Sequence, residues 1–465
     1  MKLTSCLYLA LALLSCQPQT KQKFDLLILN ASIVDVEAGQ VSKEKLIGID
    51  GDTIRLVADM NEASAFEGSR EINAGNRYVM PGLWDMHVHF RGGDSLRQEN
   101  KNLLPLFLSY GVTTVRDTGG DLTPSVLSWK NEIQGGRLPG PDIFTSGPKL
   151  DGADPYWPGS IPVADSADIA MALDSLQKLH TDYVKTYDSS LKPDLYYGLI
   201  REAEARDMKI TGHMPLKADL MRAANYGLDG VEHLYYLLGV ASPLTDSLQQ
   251  LDLGYGIVPP LVRTFDRELA AKAFRKLGSQ NFYVTPTLYI GKVLTALHGA
   301  NHSTDSLLAV IGPGIRKTYE RRTVAAQNRS PEAQLLAERQ EELFQEMVPL
   351  LQQSGINLLA GSDCGAYNSY VYPGASLQKE LQMLVASGLS PREALYASVI
   401  NGPKFFDLSD NYGSISPGKV ANLLLLAKNP LENIGNTEQI DFVIKRGTVL
   451  EKDALRAMRQ PTNNE

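Results

Sequence analysis

Between about residue 84 and residue 400, short apolar runs alternate with longer stretches whose apolar positions recur at helical spacing. The apolar runs fall at 84–89, 113–117, 142–146, 183–186, 209–213, 230–233, 282–287 and 357–363, and helical periodicity is clearest at 194–206, 266–277, 331–353 and 391–400. Strand-like runs that alternate with amphipathic helices imply parallel strands joined by crossover helices. Eight such units predict an α/β fold of the (β/α)₈ TIM barrel type over about residues 81–407, with an open doubly wound sheet as the alternative. The charged run at 337–346 reads as the solvated face of its helix.

Both flanks have the pattern of short β-strands. Leu27-Ile28-Leu29, Ile33-Val34 and Ile47-Gly48-Ile49 lie on the N-terminal side, with Asp50-Gly51 as a hairpin turn. On the C-terminal side, 422–426 and Phe442-Val443-Ile444 read as strands, with Arg446-Gly447 as a turn. Neither flank alone is large enough to hide much apolar surface. They are expected to pack together as a small β-sandwich, with residues 23–80 as its first part and 408–457 as its second.

The first residues have a different pattern. Met1-Lys2 is followed by an apolar run at 7–14 that ends in Leu13-Leu14-Ser15-Cys16, a cationic-then-apolar export signal that resembles a bacterial lipobox. Residues 1–22 therefore read as a lipoprotein signal and tether with Cys16 as the lipidated residue. The expectation is an exported, periplasmic or cell-surface lipoprotein that touches a membrane only through that anchor. No later run approaches the roughly 18 apolar residues of a spanning helix. Cys364 is the only thiol beyond Cys16, so no disulfide is expected in the body. Lys and Arg number 45 against 53 Asp and Glu, a formal charge of −8 that argues against a nucleic-acid partner. With 43% hydrophobic and 21% charged residues, the chain is not a disordered one.

In a barrel of this type, reactive groups belong at the carboxyl ends of the strands. His87 and His89 close the first run, Lys185 the fourth, His213 the fifth, His233 the sixth and Asp363 the eighth. Residues i and i+2 of a strand share a face, so His87 and His89 place two imidazoles side by side, as a shared metal ion requires. His298 and His302 have the i, i+4 spacing of a helical metal pair, but their surroundings read as loop and both are taken as surface residues. Cys364 is read as a small buried thiol.

These residues stand in segments that resemble a known family. Pro81-Gly82-Leu83-Trp84-Asp85-Met86-His87-Val88-His89, Gly111-Val112-Thr113-Thr114-Val115-Arg116-Asp117, Val231-Glu232-His233, Leu359-Ala360-Gly361-Ser362-Asp363 and Gly413-Ser414-Ile415-Ser416-Pro417-Gly418-Lys419 are similar to the amidohydrolase superfamily, in its imidazolonepropionase-like and prolidase-like branch. The resemblance implies that His87, His89 and Asp363 bind one metal ion and that His213 and His233 bind a second. It also implies that Lys185 carries a carboxylate bridging the two, because an unmodified ammonium would repel the ions. Two divalent ions would then supply a bridging hydroxide and polarise a scissile carbonyl, and Asp363 would act as the catalytic acid and base. Imidazole and carboxylate donors suit zinc best, with manganese or cobalt as alternatives.

The expected activity is hydrolysis of an amide C–N bond, most simply of a dipeptide or an N-acyl amino acid, by a dipeptidase-like enzyme. Tyr187, Tyr235, Tyr236 and Arg263 are candidate substrate contacts, and Arg91, Lys149 and Tyr367 also follow strands from which they could reach a substrate carboxylate. Two rival readings stand beside this one. The first is a mononuclear imidazolonepropionase-like cyclic-amide hydrolase or deaminase that needs no bridging lysine. The second is a non-catalytic surface lipoprotein that binds a ligand. Paired barrels in the superfamily make a homo-oligomer an expectation as well.

Overall fold

A computed structural model of the chain describes residues 21–251 and 253–461. Residues 1–20 of the expected signal and tether, with Cys6 and Cys16, lie outside the described residues, and Gln22 at its end already belongs to the first strand.

The N-terminal strands are β1 (Gln22–Asp35), β2 (Gln40–Asp50), β3 (Thr53–Asp59), β4 (Phe66–Asn73) and β5 (Tyr78–Pro81). The central region carries β6 (Leu83–Val88), β7 (Val112–Asp117), β8 (Asp142–Thr145), the short β9 (Leu150–Asp151) and β10 (Ile161–Pro162), β11 (Val184–Thr186), β12 (Ile210–Gly212), β13 (Gly230–Glu232), β14 (Tyr283–Thr285) and β15 (Asn357–Leu358). At the C-terminal side come β16 (Leu423–Leu426), β17 (Ile440–Lys445) and β18 (Thr448–Glu451).

The two chain ends share one eight-stranded sheet in the order β18-β17-β16-β5-β1-β2-β3, with β4 paired to β1. Where the sequence pattern suggests two short strands, β1 is a single long strand. Its register with β2 shifts on either side of Ala31, and Asn30 takes a left-handed conformation there, as a bulge requires. The hairpin turn at Gly51 and the turn at Arg446-Gly447 both form, with positive φ at all three residues. Strand alternation explains the leucine run of β16. Leu423 and Leu425 pack into the core of the end sheet, while Leu424 and Leu426 join the main core of the α/β body.

The central region is an α/β body of TIM-barrel-like kind, and all eight expected apolar runs become strands or strand ends. Parallel ladders join β6 to β7, β7 to β8, β11 to β12, β13 to β14 and β14 to β15. Single backbone hydrogen bonds span the remaining neighbours: Asp182 N–H donates to Thr145 O at 2.8 Å and Asp229 N–H to Ile210 O at 3.0 Å. Past β15 the chain stays extended beside β6, where Met86 N–H donates to Ala360 O and Asp363 N–H to His87 O. The long helix Pro331–Gln353 and the helices Pro193–Ala205, Arg267–Gly278 and Pro391–Val399 coincide with the expected helical stretches to within a residue or two at each end.

A buried polar junction ties the end sheet to this body. Asp142, the first residue of β8, accepts from Arg446 Nε at 2.9 Å and Asn422 Nδ2 at 3.0 Å, and Lys445 Nζ lies 2.6 Å away. Burial would raise the Asp142 pKa, but Lys445 and Arg446 hold it below the ordinary carboxylate range. A depressed folded pKa contributes stability that is full at neutral pH and is lost as the pH falls through the folded value. Asp142→Ala leaves two cations without their buried partner, and we expect it to cost about 3 kcal/mol in urea unfolding at pH 7. That cost shrinks at pH 3; an unchanged unfolding midpoint at pH 7 refutes the role of the junction.

Candidate functional site

Five strand ends of the α/β body converge on one rim. His87 lies in β6 and His89 just beyond it, Lys185 is in β11, and His213, His233 and Asp363 follow β12, β13 and the extended segment after β15. His87, His89 and Asp363 each offer a ligand atom within 4.8 Å of the others. Asp363 Oδ1 is 3.3 Å from His89 Nε2 and 3.5 Å from His87 Nε2, and the latter nitrogen has no hydrogen-bond partner among the described residues. The His233 ring lies 5.0 Å from those of both His87 and His213. Gly361 makes the approach of the two strands feasible: a Cβ there would stand 2.7 Å from His87 Cβ.

Each of the four imidazoles is oriented through Nδ1. His87 Nδ1 is 2.7 Å from Glu232 Oε2, His89 Nδ1 3.2 Å from Gly119 O, His213 Nδ1 3.1 Å from Asp188 Oδ1 and His233 Nδ1 2.6 Å from Thr287 Oγ1. Engaging Nδ1 in this way leaves Nε2 available as a ligand atom, although His89 Nε2 also lies 3.2 Å from Thr118 Oγ1. Burial, reinforced by Lys185, lowers the His87 pKa to about 3, and burial depresses His89, His213 and His233 as well. All four rings are therefore neutral at pH 7, the form that can coordinate a metal.

Lys185 is 1% exposed and, among the described residues, its Nζ has no hydrogen-bond partner. Burial pulls its pKa down to about 8, against the opposing charge of Glu232. Asp363 Oδ1 accepts from Asn368 Nδ2 at 2.7 Å, and among the described residues Oδ2 has no hydrogen bond. His233, Thr287 and Asp363 all take left-handed backbone conformations, with φ of 65°, 51° and 56°. Such strain at three successive strand ends turns their side chains towards the rim at a local energetic cost.

Beneath the rim lies a network that sequence reasoning missed. Glu232 accepts from Arg116 Nη2 at 2.7 and 2.9 Å and from Thr211 Oγ1 at 3.0 Å, in addition to His87. Arg116 Nη2 also reaches Thr285 Oγ1, and its Nε donates to Met86 O at 2.6 Å. An arginine in the middle of an apolar strand run is the signal that could have found this acid, because such a cation demands a buried partner. Asp188 was missed for a different reason: it lies past a strand end and holds His213 while accepting from Tyr236 and Tyr255 hydroxyls.

The candidate substrate residues divide. Tyr187 stacks on His213 with ring centroids 4.5 Å apart, and Tyr236 acts through Asp188. Tyr235 lines a cavity of about 230 Å³ together with His213, His233 and Asp363. A wider groove of about 850 Å³ runs past Tyr187, Asp188 and Tyr255. Arg263 is a correction: it ends the helix Val258–Arg263, is exposed, and lines neither of these spaces. The helix turns it outward, which periodicity in a long insert did not indicate. Arg91 is buried against Ala366 O, Asn368 and the Trp157 ring, and Lys149 is buried over the same ring. Cys364 is a buried free thiol whose pKa burial pushes well up. His298 is exposed, and half-buried His302 stacks on Tyr370, so neither joins the rim.

The sequence and the fold both match known proteins. A profile of the amidohydrolase family matches residues 78–450. Among solved structures, a Xaa-Pro dipeptidase with bound methionine in its active site superposes with a TM-score of 0.66 at 20% identity, covering 92% of this chain and 99% of that one. A bottromycin amidohydrolase superposes with a TM-score of 0.71 at 19% identity, over 95% of this chain and 89% of that one. Shorter matches join residues of this chain to adenine deaminase 4 of Rhizobium meliloti (strain 1021), 34% identical over 83 residues, and to the dihydroorotase of Pelotomaculum thermopropionicum, 38% identical over 66 residues. Those matches cover 18% and 14% of this chain and span only 13% and 14% of those relatives.

The Glu232 network makes a direct prediction. Glu232→Ala strands the buried Arg116 cation and frees His87 Nδ1, and we expect a loss of about 3–5 kcal/mol in denaturant unfolding. A change below about 0.5 kcal/mol would show that Glu232 does not support the site.

Proposed function

The chain belongs to the amidohydrolase family, and from that premise we propose that it is a metal-dependent hydrolase of an amide C–N bond in a dipeptide or N-acyl amino acid. The observation that carries this reading is the convergence of neutral His87 and His89 with Asp363 within 4.8 Å, beside a buried lysine amine that has no hydrogen-bond partner among the described residues. An unpartnered His87 Nε2 and an unpartnered Lys185 Nζ at one rim are what residues awaiting a cation and a modifying group look like. His87, His89 and Asp363 would hold one divalent ion and His213 and His233 a second, with zinc favoured by the imidazole and carboxylate donors. Bound there, the ions would supply a water acidic enough to attack at neutral pH and a Lewis acid for the carbonyl.

The chain's own groups do the rest. The Lys185 amine, with its lowered pKa, adds to carbon dioxide through its neutral form and loses one proton, giving a carbamate whose anionic oxygens replace a repelling cation. Asn368 anchors Asp363 Oδ1, so that Oδ2 can take the proton of the attacking water and hand it to the departing nitrogen. Tyr187 stacks on His213, and Tyr235 lines the cavity that His213 shares with His233 and Asp363.

The finer architecture belongs to this reading. We take the eight strands as a closed (β/α)₈ barrel, residues 81–407, and the end sheet as a small β-sandwich domain from 23–80 and 408–457. Residues 1–22 are read as an export signal and tether that leave an exported lipoprotein anchored through Cys16.

Elemental analysis and intact mass test the proposal together. We expect about two zinc-like ions per chain and an acid-labile mass gain of about 44 Da that disappears in Lys185→Ala. One ion with no adduct overturns the bridged site in favour of the single-ion cyclic-amide hydrolase or deaminase reading. Asp363→Asn is expected to lower kcat by about 10²–10⁴-fold; turnover kept near that of the native chain removes the acid and base role, and ligand binding without any turnover favours a binding protein.

A further inference from the structure

The helix Pro331–Gln353 presents most of its charged residues to solvent, but Glu341 is an exception. It is 8% exposed, and its side chain lines the cavity of about 230 Å³ that also holds His213, His233 and Asp363. Among the described residues, no hydrogen bond or ion pair reaches its carboxyl group. Room for that group is provided by Gly291, where a Cβ would stand 2.4 Å from Glu341 Oε2. A side chain at position 291 would push the carboxyl group aside, so the glycine leaves room in the cavity for an acid that has no partner among the described residues.

The surroundings show which sign of charge the cavity lacks. Glu380 is buried close by, but its two oxygens are already taken by the backbone N–H groups of Leu288 and Tyr289 at 3.0 and 2.7 Å. Arg322 lines the same cavity and is drawn the other way, its Nη2 donating to Asn368 Oδ1 at 3.0 Å. A buried carboxyl group without a partner costs free energy until a donor or cation reaches it. The cavity beyond His213 and His233 thus carries, besides the Asp363 carboxylate and the engaged Arg322, a second acid, Glu341, that no donor reaches among the described residues.

We propose that Glu341 is a specificity-determining residue that receives the free ammonium group on the acyl side of the substrate. This rests on the amide-hydrolase reading and deepens it: it selects dipeptides with a free N-terminus over N-acyl amino acids. A primary ammonium group placed there makes a charge-assisted hydrogen bond to Glu341. An N-acyl group offers a single neutral N–H and adds bulk against Gly291 and Leu294. A site built to pair a substrate charge discriminates against the analogue without it more strongly than an apolar pocket does.

The test compares matched substrates on the full metal-loaded chain. A panel of dipeptides and their N-acetylated forms is assayed with the native chain and with Glu341→Gln, which keeps the shape and removes the charge. The native chain is expected to prefer the free dipeptides by about tenfold or more in kcat/KM, and Glu341→Gln to reduce that ratio by about tenfold. An unchanged ratio overturns the proposal, however far absolute activity moves, because a merely structural residue would lower both substrates alike. Preference of the native chain for N-acetylated substrates overturns it too. If no substrate is cleaved, the hydrolase reading fails by itself. Calorimetric titration with L-leucine against N-acetyl-L-leucine then decides the subsite: tighter binding of the free amine that Glu341→Gln abolishes supports it, and equal binding refutes it.

Discussion

A carboxylate cannot remain charged in a dry interior unless other groups take over the work of water, and Glu232 is held to that requirement from several strands at once. Arg116 comes from β7, His87 from β6, Thr211 from β12, and Thr285 of β14 closes the far side of the same guanidinium. Removing any one partner leaves another buried group exposed to the same penalty. The network therefore sets the spacing of strand ends that share no sequence proximity. Its upper edge is His87, so the geometry of the rim is inherited from the ion pair below it. The Arg116 guanidinium also lies over the Tyr183 and Phe405 rings, which cap its Nη1, a nitrogen without an acceptor among the described residues.

Above that floor the balance of charge reverses. Burial leaves the imidazoles neutral, and it also weakens the hold of Lys185 and Lys149 on their protons. Neutral imidazoles and the carboxylate of Asp363 thus meet at the centre of the rim, a donor set that could hold a metal ion. Asp188, Thr287 and Asn368 each orient a side chain of the rim: Asp188 holds His213, Thr287 His233 and Asn368 Asp363.

Much of this was legible in the chain because buried parallel strands are written as continuous apolar runs, and a polar residue at the end of such a run has few other reasons to be there. His87, His89, Lys185, His213, His233 and Asp363 stand out for that reason. The supporting groups do not, because their meaning depends on partners brought from distant strands. Glu232 sits beside His233 in the sequence and still acts on His87. Glu341 lies in a run whose other charges face water, and only the packing of Leu343, Phe344 and Met347 turns that part of the helix inward. Arg263 shows the opposite error: position after a strand suggested a contact, and the helical insert placed the side chain outside. The bulge at Asn30, which merges two expected strands into one, is likewise a matter of pairing rather than of local composition.

The pairing of β5 with β16 sets a timetable for the chain. Tyr78 meets Leu426 and Val79 meets Leu425, so the edge of the sheet built from the first strands faces its partner only when nearly all of the polypeptide has been made. During that interval β5 has an unpaired side and the apolar faces of β1 and β2 lack their final cover. Exposed edges and apolar surface of this kind are where newly made chains associate wrongly. The end sheet is thus completed last, and the order of synthesis leaves its first strands waiting for the chain's final ones.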